Sequence, residues 1–153
     1  MTQQECYMME ALELAREAAA EGEVPVGCVI VQDGRIIGRG RNRREEKQST
    51  ASHAEMEAIA QANAALGTWR LDTCELYVTL EPCPMCAGAI LNARLDEVCF
   101  GAPDPKAGCF GSLCDLNALP FNHHPLIAGG VLQEECAQIL KDYFRQKRKS
   151  KKE

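Results

Sequence analysis

One histidine, one glutamate and two cysteines stand in an order that could perform metal-assisted hydrolysis. His53 and Glu55 lie one residue apart, and Cys83 and Cys86 follow further along in a P-C-x-x-C arrangement. Three protein ligands leave the fourth coordination position of Zn²⁺ open for water, whereas four ligands close a structural zinc site. His53, Cys83 and Cys86 supply three, which predicts one Zn²⁺ per chain. Glu55 is then a spare carboxylate that can move protons to and from the water.

Both groups of candidate ligands are predicted to lie where helices begin. Ser52 and Glu55 have the spacing of a capping box, which predicts a helix over residues 54–65. The cysteines open a second helix, predicted over residues 84–93, with Pro84 in its first turn. The dipole and free N–H groups of a helix N-terminus favour anions, so this placement lowers thiol pKa and favours thiolates that can bind metal.

Each of these motifs also has a simpler interpretation. Glu55 could serve only as the reciprocal half of the capping box, and a lone C-x-x-C could be a redox pair or half of a structural zinc site. A structural site needs a second pair of ligands. The remaining candidates are His123 with His124 and Cys109 with Cys114, and neither pair has a familiar ligand spacing. The catalytic interpretation is therefore preferred.

The composition indicates one globular domain spanning residues 1–153. The chain has 153 residues, of which 46% are hydrophobic, and this suits a single core. No apolar run approaches the roughly 20 residues that cross a bilayer, and the N-terminus lacks the profile of a secretory signal. Nine cysteines without such a signal predict free thiols in a reducing cytoplasm.

Charge is distributed very unevenly along the chain. The net charge is −5, but residues 145–153 carry six basic residues and one acid and form a basic C-terminal helix or tail. A second basic cluster surrounds Asn42 and comprises Arg35, Arg39, Arg41, Arg43 and Arg44. Such runs are usually solvated surface. Because the second cluster lies just before the candidate metal motif, the pattern favours a polyanionic partner.

The predicted elements alternate after an initial hairpin. Helices are predicted over residues 2–20, 54–65, 84–93 and 134–147, and strands over 24–32, 35–40, 75–80, 97–102 and 126–132. Residues 42–52 and 103–125 are predicted as loops, the second with a short helix over 112–119. Strands that alternate with helices predict an α/β fold of three α/β/α layers, with a central mixed, mostly parallel five-stranded sheet.

The order H-x-E…P-C-x-x-C matches the known signature of zinc-dependent nucleobase deaminases. Over nearly its whole length the chain resembles the cytidine-deaminase-like superfamily and, within it, the bacterial tRNA-specific adenosine deaminases. The zinc motif is typical of the superfamily, whereas Asn42, Asp104 and the C-terminal features are typical of the tRNA branch. The shared stretches are residues 23–27, 40–43, 53–55, 77–89, 100–102, 104, 111–112, 122–123 and 143–145.

The resemblance implies hydrolysis of adenosine to inosine at the wobble nucleotide of an arginine tRNA anticodon. Glu55 would be the proton shuttle, and the partner would be a tRNA anticodon stem-loop, whose unpaired bases can reach a buried site. Asn42 would bind the base and Asp104 a ribose hydroxyl, while Lys106 and Arg145 would meet phosphates. The family also implies a homodimer.

Two other functions fit parts of the same pattern. A deaminase of free guanine or cytosine would use the same zinc motif but would have no need of the basic tail. A non-catalytic, zinc-stabilised RNA-binding module would need a fourth protein ligand and would have no use for Glu55.

Overall fold

A computed structural model of the chain describes residues 1–152. Its elements, in chain order, are α1 (Gln3–Ala20), β1 (Gly27–Gln32), β2 (Arg35–Arg41), α2 (Arg44–Lys47), α3 (Ala54–Leu66), β3 (Glu75–Leu80), α4 (Pro84–Ala93), β4 (Glu97–Ala102), a 3-10 turn (Leu116–Ala118), β5 (Leu126–Gly129) and α5 (Gln133–Lys152). None of the helices in this described part of the chain is long and apolar enough to cross a membrane.

The five strands form one mixed sheet in the order β2-β1-β3-β4-β5. Strand β1 is antiparallel to both of its neighbours, while β3, β4 and β5 pair in parallel. Four of the five strands therefore run in the same direction, which confirms the predicted mixed, mostly parallel sheet. As a consequence, β2, β3 and β4 all end at one edge of the sheet, and β1 begins there.

The helices cover both faces of the sheet, as the α/β/α prediction requires. Alternate residues of β1 point to opposite sides: Cys28 and Ile30 pack with α3 and α4, and Val29 and Val31 pack with α1. The α5 residue Cys136 is buried in the same layer as α1. The site-bearing helices α3 and α4 thus share one face and one apolar core.

Gly40 fixes how closely α3 approaches the sheet. A Cβ atom at this position would lie 2.2 Å from the carbonyl oxygen of Ala54 and 2.6 Å from the amide nitrogen of Ala58. Only a residue without a side chain allows this contact, so the first turns of α3 rest directly on β2. The same turn carries Glu55, whose position therefore depends on a backbone-to-backbone contact.

The predicted capping box at the start of α3 is wrong, although the helix itself is confirmed. His53 occupies the cap position with extended backbone (φ −82°, ψ 157°) and no side-chain capping hydrogen bond. Ser52 is buried, and its carbonyl oxygen accepts a hydrogen bond from the Arg43 amide at 2.9 Å. This attachment to the preceding loop shifts the cap by one residue and leaves Glu55 without a reciprocal capping partner.

Four other predicted elements differ from the structure. The predicted loop over 42–52 contains α2, because the distant Glu23 carboxylate accepts hydrogen bonds from the amides of Glu45 (3.1 Å) and Glu46 (2.7 Å). The predicted helix over 112–119 is only the 3-10 turn Leu116–Ala118, and β5 is shorter than predicted. Helix α5 extends beyond residue 147 to Lys152, so the basic tail is helical up to that residue.

Candidate metal and catalytic site

His53, Cys83 and Cys86 converge although they come from two different helices. His53 is the cap residue of α3, Cys83 is the cap residue of α4, and Cys86 lies in the first turn of α4. The Nδ1 atom of His53 lies 3.6 Å from the sulfur of Cys83 and 3.5 Å from that of Cys86. All three donor atoms lie within 4.8 Å of one another.

The donor atoms have the spacing that a zinc ion requires. With Zn–S near 2.3 Å and Zn–N near 2.0 Å, tetrahedral geometry separates a sulfur from a nitrogen ligand by about 3.5 Å. The observed separations of 3.5 and 3.6 Å match this value. Within residues 1–152 no other cluster of three or more such side chains is found. The side chains of His123 and His124 instead contact the carbonyl oxygens of Leu95 and Leu119.

The pKa values of the two cysteines are shifted in opposite directions. Hydrogen bonds from the Cys86 thiol and from His53 lower the pKa of Cys83 to about 4, against the opposing effect of burial. The pKa of Cys86 is raised by its hydrogen bond to Cys83 and by burial. The hydrogen bond to Cys83 also raises the pKa of His53. A bound metal ion would displace the remaining proton of this cysteine pair, because metal ligands must be deprotonated.

Glu55 places a carboxyl group directly beside the three donors. Glu55 is only 4% exposed, and it lines the same cavity as His53 and Cys83. Burial raises the pKa of Glu55 to about 7, and the negative charge of Cys83 acts in the same direction. A carboxyl group in this condition can both accept and donate a proton near neutral pH. The purely structural role as a capping residue is not observed.

A small cavity of about 180 Å³ opens over this group at the edge of the sheet. It is lined by the end of β2, the segment before β1, the N-terminus of α3 and the segments that follow β3 and β4. The lining residues are Val24, Val26, Asn42, Arg44, His53, Ala54, Glu55, Leu80, Glu81, Cys83, Asp104 and Ala107. Asn42 and Asp104 thus line the same cavity as the candidate catalytic group.

Asn42 is fixed in orientation by its neighbours. Its amide nitrogen donates to the carbonyl oxygen of Val24 at 3.4 Å, and its amide oxygen accepts from the Arg44 amide at 3.2 Å. A side-chain amide has a second N–H and a second lone pair beyond these two contacts. Asn42 therefore keeps both donor and acceptor capacity for a molecule in the cavity.

Asp104 reaches the cavity on the loop that follows β4. One of its carboxylate oxygens accepts hydrogen bonds from the amides of Lys106 (3.1 Å) and Ala107 (3.2 Å). These bonds use a single oxygen and hold the side chain against its own loop. In the strand order, β1 and β3 separate Asp104 from Asn42, so the two residues approach the cavity from different sides.

Lys106 and Arg145 do not line this cavity but a second, outer groove of about 560 Å³. The groove runs along α5, and its remaining lining residues are Leu140, Lys141, Phe144 and Arg148. The four predicted substrate-binding residues therefore fall into two places, two in the inner cavity and two in a basic groove.

The arginine cluster around Asn42 is less available than the sequence suggests. Arg39 pairs with Glu10 at 3.3 Å, while Arg41 and Arg43 both pair with Glu46, at 3.5 and 3.0 Å. Only Arg44 of this cluster lines the inner cavity. On α5, Arg145 also pairs with an acidic residue, Asp142, at 3.5 Å, while Lys147, Arg148 and Lys149 are exposed.

Sequence reasoning missed two buried carboxylates that support the walls of the cavity. Glu23 holds α2, which follows Asn42, and Glu81 holds the loop that carries Asp104. Burial raises the pKa of Glu81, but hydrogen bonds from Ser112, Asp104 and Phe110 outweigh burial and lower it overall. In the sequence, each glutamate directly adjoins an apolar strand-like run. This position was the available signal that the carboxylates are buried.

Comparison with known proteins agrees with this geometry. The chain matches the MafB19-like deaminase family over residues 2–148. It is 53% identical to a tRNA-specific adenosine deaminase of Bacillus subtilis, over 99% of this chain and 95% of that protein. It superimposes with a TM-score of 0.82, at 44% identity, on a structure from studies of A-to-I editing by tRNA:A34 deaminases at the wobble position of transfer RNA, covering 88% of this chain and 98% of that one.

A more distant solved structure is a guanine deaminase from Nitrosomonas europaea, with a TM-score of 0.77 and 25% identity over 91% of this chain and 83% of that one. The shared fold and the His–Cys–Cys group with its adjacent glutamate define this protein as a deaminase of the cytidine-deaminase-like class. Within that class, the chain belongs to the tRNA-specific adenosine deaminase family.

Proposed function

We propose that this deaminase hydrolyses adenosine to inosine at the wobble position of a tRNA anticodon, with an arginine tRNA as its substrate. The observation that carries the proposal is the buried carboxylate of Glu55 beside three zinc-compatible donor atoms, at the floor of a cavity that also contains Asn42 and Asp104. The similarity to tRNA-specific adenosine deaminases over nearly the whole chain supports the same substrate.

His53, Cys83 and Cys86 would hold one Zn²⁺. A zinc ion in such a site lowers the pKa of a water molecule towards neutrality and so supplies the nucleophile. Glu55 accepts the proton of that water and delivers protons to N1 of the adenine and to the departing amine. A C6–O bond forms and the C6–N bond breaks, so that adenosine and water give inosine and ammonia.

Substrate orientation is assigned to the remaining cavity residues. Asn42 would hydrogen-bond the base with its spare donor and acceptor. Asp104 would accept a hydrogen bond from a ribose hydroxyl, and the 2′-hydroxyl is the group that distinguishes RNA from DNA. A base stacked in a duplex cannot enter so small a cavity, and the unpaired nucleotides of an anticodon loop can.

Lys106 and Arg145 would contact phosphates of the stem-loop in the outer groove. We further propose that residues 1–153 form a single domain and that the protein works as a homodimer, as the family resemblance implies. A cytoplasmic location is also proposed. All nine cysteines are unpaired, which suits a reducing compartment.

A substrate panel tests the proposal. Ammonia release is measured with free adenine, cytosine and guanine and with an arginine tRNA anticodon stem-loop that carries adenosine at the wobble position. We expect rapid release from the stem-loop and negligible release from the free bases. Faster turnover of free guanine would overturn the proposal in favour of the nucleobase deaminase activity that the Nitrosomonas europaea relative carries. The RNA-binding module is supported if no substrate reacts.

The basic end of α5 is expected to supply much of the attraction for phosphates. Residues 1–144 carry 11 basic and 21 acidic residues and would repel RNA. Each phosphate contact contributes about 0.7 to 0.9 to the slope of log K against log salt. Deletion of residues 147–153 should therefore weaken stem-loop binding and flatten this slope while zinc content stays unchanged.

Single substitutions provide a matched comparison for the deletion. Arg148→Gln removes a charge that lines the outer groove and should reduce the salt slope by about one unit. Arg70→Gln removes another exposed positive charge. Arg70 lies beyond the C-terminal end of α3, about 20 Å from the N-terminus of that helix, so its loss should leave the slope unchanged. Unaltered affinity and slope in the deletion variant would identify the tail as ordinary solvated surface.

A further inference from the structure

Glu81 binds one loop through four hydrogen bonds. Its Oε1 atom accepts from the Asp104 amide at 3.0 Å and from the Ser112 hydroxyl, and its Oε2 atom accepts from the amides of Phe110 (3.0 Å) and Ser112 (3.1 Å). The residue is only 2% exposed. A carboxylate buried to this degree needs such donors, because a charge without partners in the interior is costly.

These four bonds leave Glu81 with no role as a direct substrate contact. A carboxylate offers about four lone-pair sites, and the four donors occupy them. The residue borders the cavity but has no remaining acceptor capacity for a molecule inside it. Its effect on substrate must therefore pass through the loop that it holds.

The held loop carries the part of the cavity wall that follows β4. Asp104 and Ala107 line the cavity, and Lys106 between them lines the outer groove. Glu81 is also close to the metal-ligating segment, because it lies two residues before Cys83. Its backbone amide donates a hydrogen bond to the carbonyl oxygen of Ala102 at 2.9 Å. One side chain thus joins the segment of a candidate metal ligand to the wall that faces the substrate.

Residue 108 must be glycine for the loop to lie this close to Glu81. A Cβ atom at residue 108 would lie 2.4 Å from the carboxyl carbon of Glu81 and 2.5 Å from its Oε1 atom. The loop can therefore close over the carboxylate only because residue 108 is glycine. A substitution at residue 108 would therefore displace the loop while leaving Glu81 itself unchanged.

We propose that Glu81 is a positioning residue for substrate binding, which holds Asp104 at the correct distance from the metal-ligating segment. This inference rests on the proposed function, because it assigns Asp104 to the ribose of the bound nucleotide. Glu81 does not touch the reacting atoms. Loss of the Glu81 carboxylate lowers the affinity for RNA, while the three metal-ligating residues and Glu55 remain in place.

The first test is Glu81→Gln in the full-length, zinc-loaded enzyme. Glutamine keeps one accepting oxygen but replaces the other by an N–H donor, which faces the donors of the loop, so the loop loses part of its attachment. We expect KM for the anticodon stem-loop to rise roughly tenfold, the loss that one hydrogen bond to a charged group produces, with a much smaller change in kcat. Zinc content should equal that of the wild type. In hydrogen exchange, the amides of Phe110 and Ser112 should lose protection.

Two further variants keep the test decisive if Glu81→Gln folds poorly. Gly108→Ala leaves the carboxylate chemically intact and should raise KM in the same way, while Ser112→Ala removes a single donor and should have a smaller effect. The control is Leu12→Ala, which truncates a fully buried residue of α1 on the other face of the sheet. It should lower thermal stability without raising KM.

A double-mutant cycle separates positioning from a general structural role. If Glu81 acts through Asp104, Glu81→Gln should raise KM much less in an Asp104→Ala background than in the wild type. Additive effects, or an unchanged KM in both Glu81→Gln and Gly108→Ala, would overturn the inference. Failure of the wild type itself to deaminate the stem-loop would instead contradict the proposed function, so the two outcomes are distinguishable.

Discussion

Glu55→Gln is expected to lower turnover on the anticodon stem-loop by at least about 100-fold, within the range of general acid–base groups. Glutamine keeps the size of the side chain but can neither accept the proton of the water nor deliver protons to the base and the amine. Zinc content and RNA affinity should remain close to wild type, because Glu55 is not needed as a ligand or a phosphate contact. Single-turnover kinetics, metal analysis and equilibrium binding measure these three quantities separately.

Glu57→Gln is the matched control for this substitution. It removes another carboxylate from the first turn of the same helix, but that side chain pairs with Lys47 and does not line the cavity. Its turnover should be near normal. Near-normal turnover in Glu55→Gln would mean that Glu55 is not the proton shuttle.

Cys86→Ala is expected to abolish zinc binding and activity together. The substitution removes one of three donors and leaves two protein ligands, too few for a stable site of this type. Metal analysis of the purified variant should find almost no zinc, and ammonia release should fall to background.

Cys74→Ala provides the comparison for a buried cysteine outside the site. Cys74 is fully buried next to the beginning of β3, at the sheet edge opposite the cavity, and should be replaceable without loss of zinc. Full zinc occupancy in Cys86→Ala, or a metal retained through Cys109 and Cys114, would contradict the ligand assignment.

The sequence was sufficient to predict the elements whose signals are local. Periodicity, Pro84 and Gly67 predicted α3 and α4 within one residue, because the determinants of these helices lie inside or next to them. The alternation of strands and helices similarly predicted the layers and the direction of most strands. The convergence of His53 with the two cysteines followed from their placement at helix N-termini on neighbouring connections.

The remaining features depend on contacts between residues that are distant in the chain. Helix α2 forms where Glu23 caps it from more than twenty positions earlier, and no local pattern in 42–52 encodes that bond. The same holds for Glu81 and the loop around Asp104. The pairing of Arg39, Arg41 and Arg43 with acidic residues likewise appears only in three dimensions, and it reduces the basic surface that composition alone suggests.

The position of inosine in the product RNA shows whether the enzyme deaminates the wobble adenosine. An arginine tRNA anticodon stem-loop with adenosine at the wobble position, and further adenosines elsewhere, is incubated with the zinc-loaded enzyme and mapped by mass spectrometry. We expect inosine at the wobble position alone, one ammonia for each inosine, and no inosine with the Glu55→Gln variant. Unmodified RNA together with deamination of free guanine or cytosine would contradict this expectation.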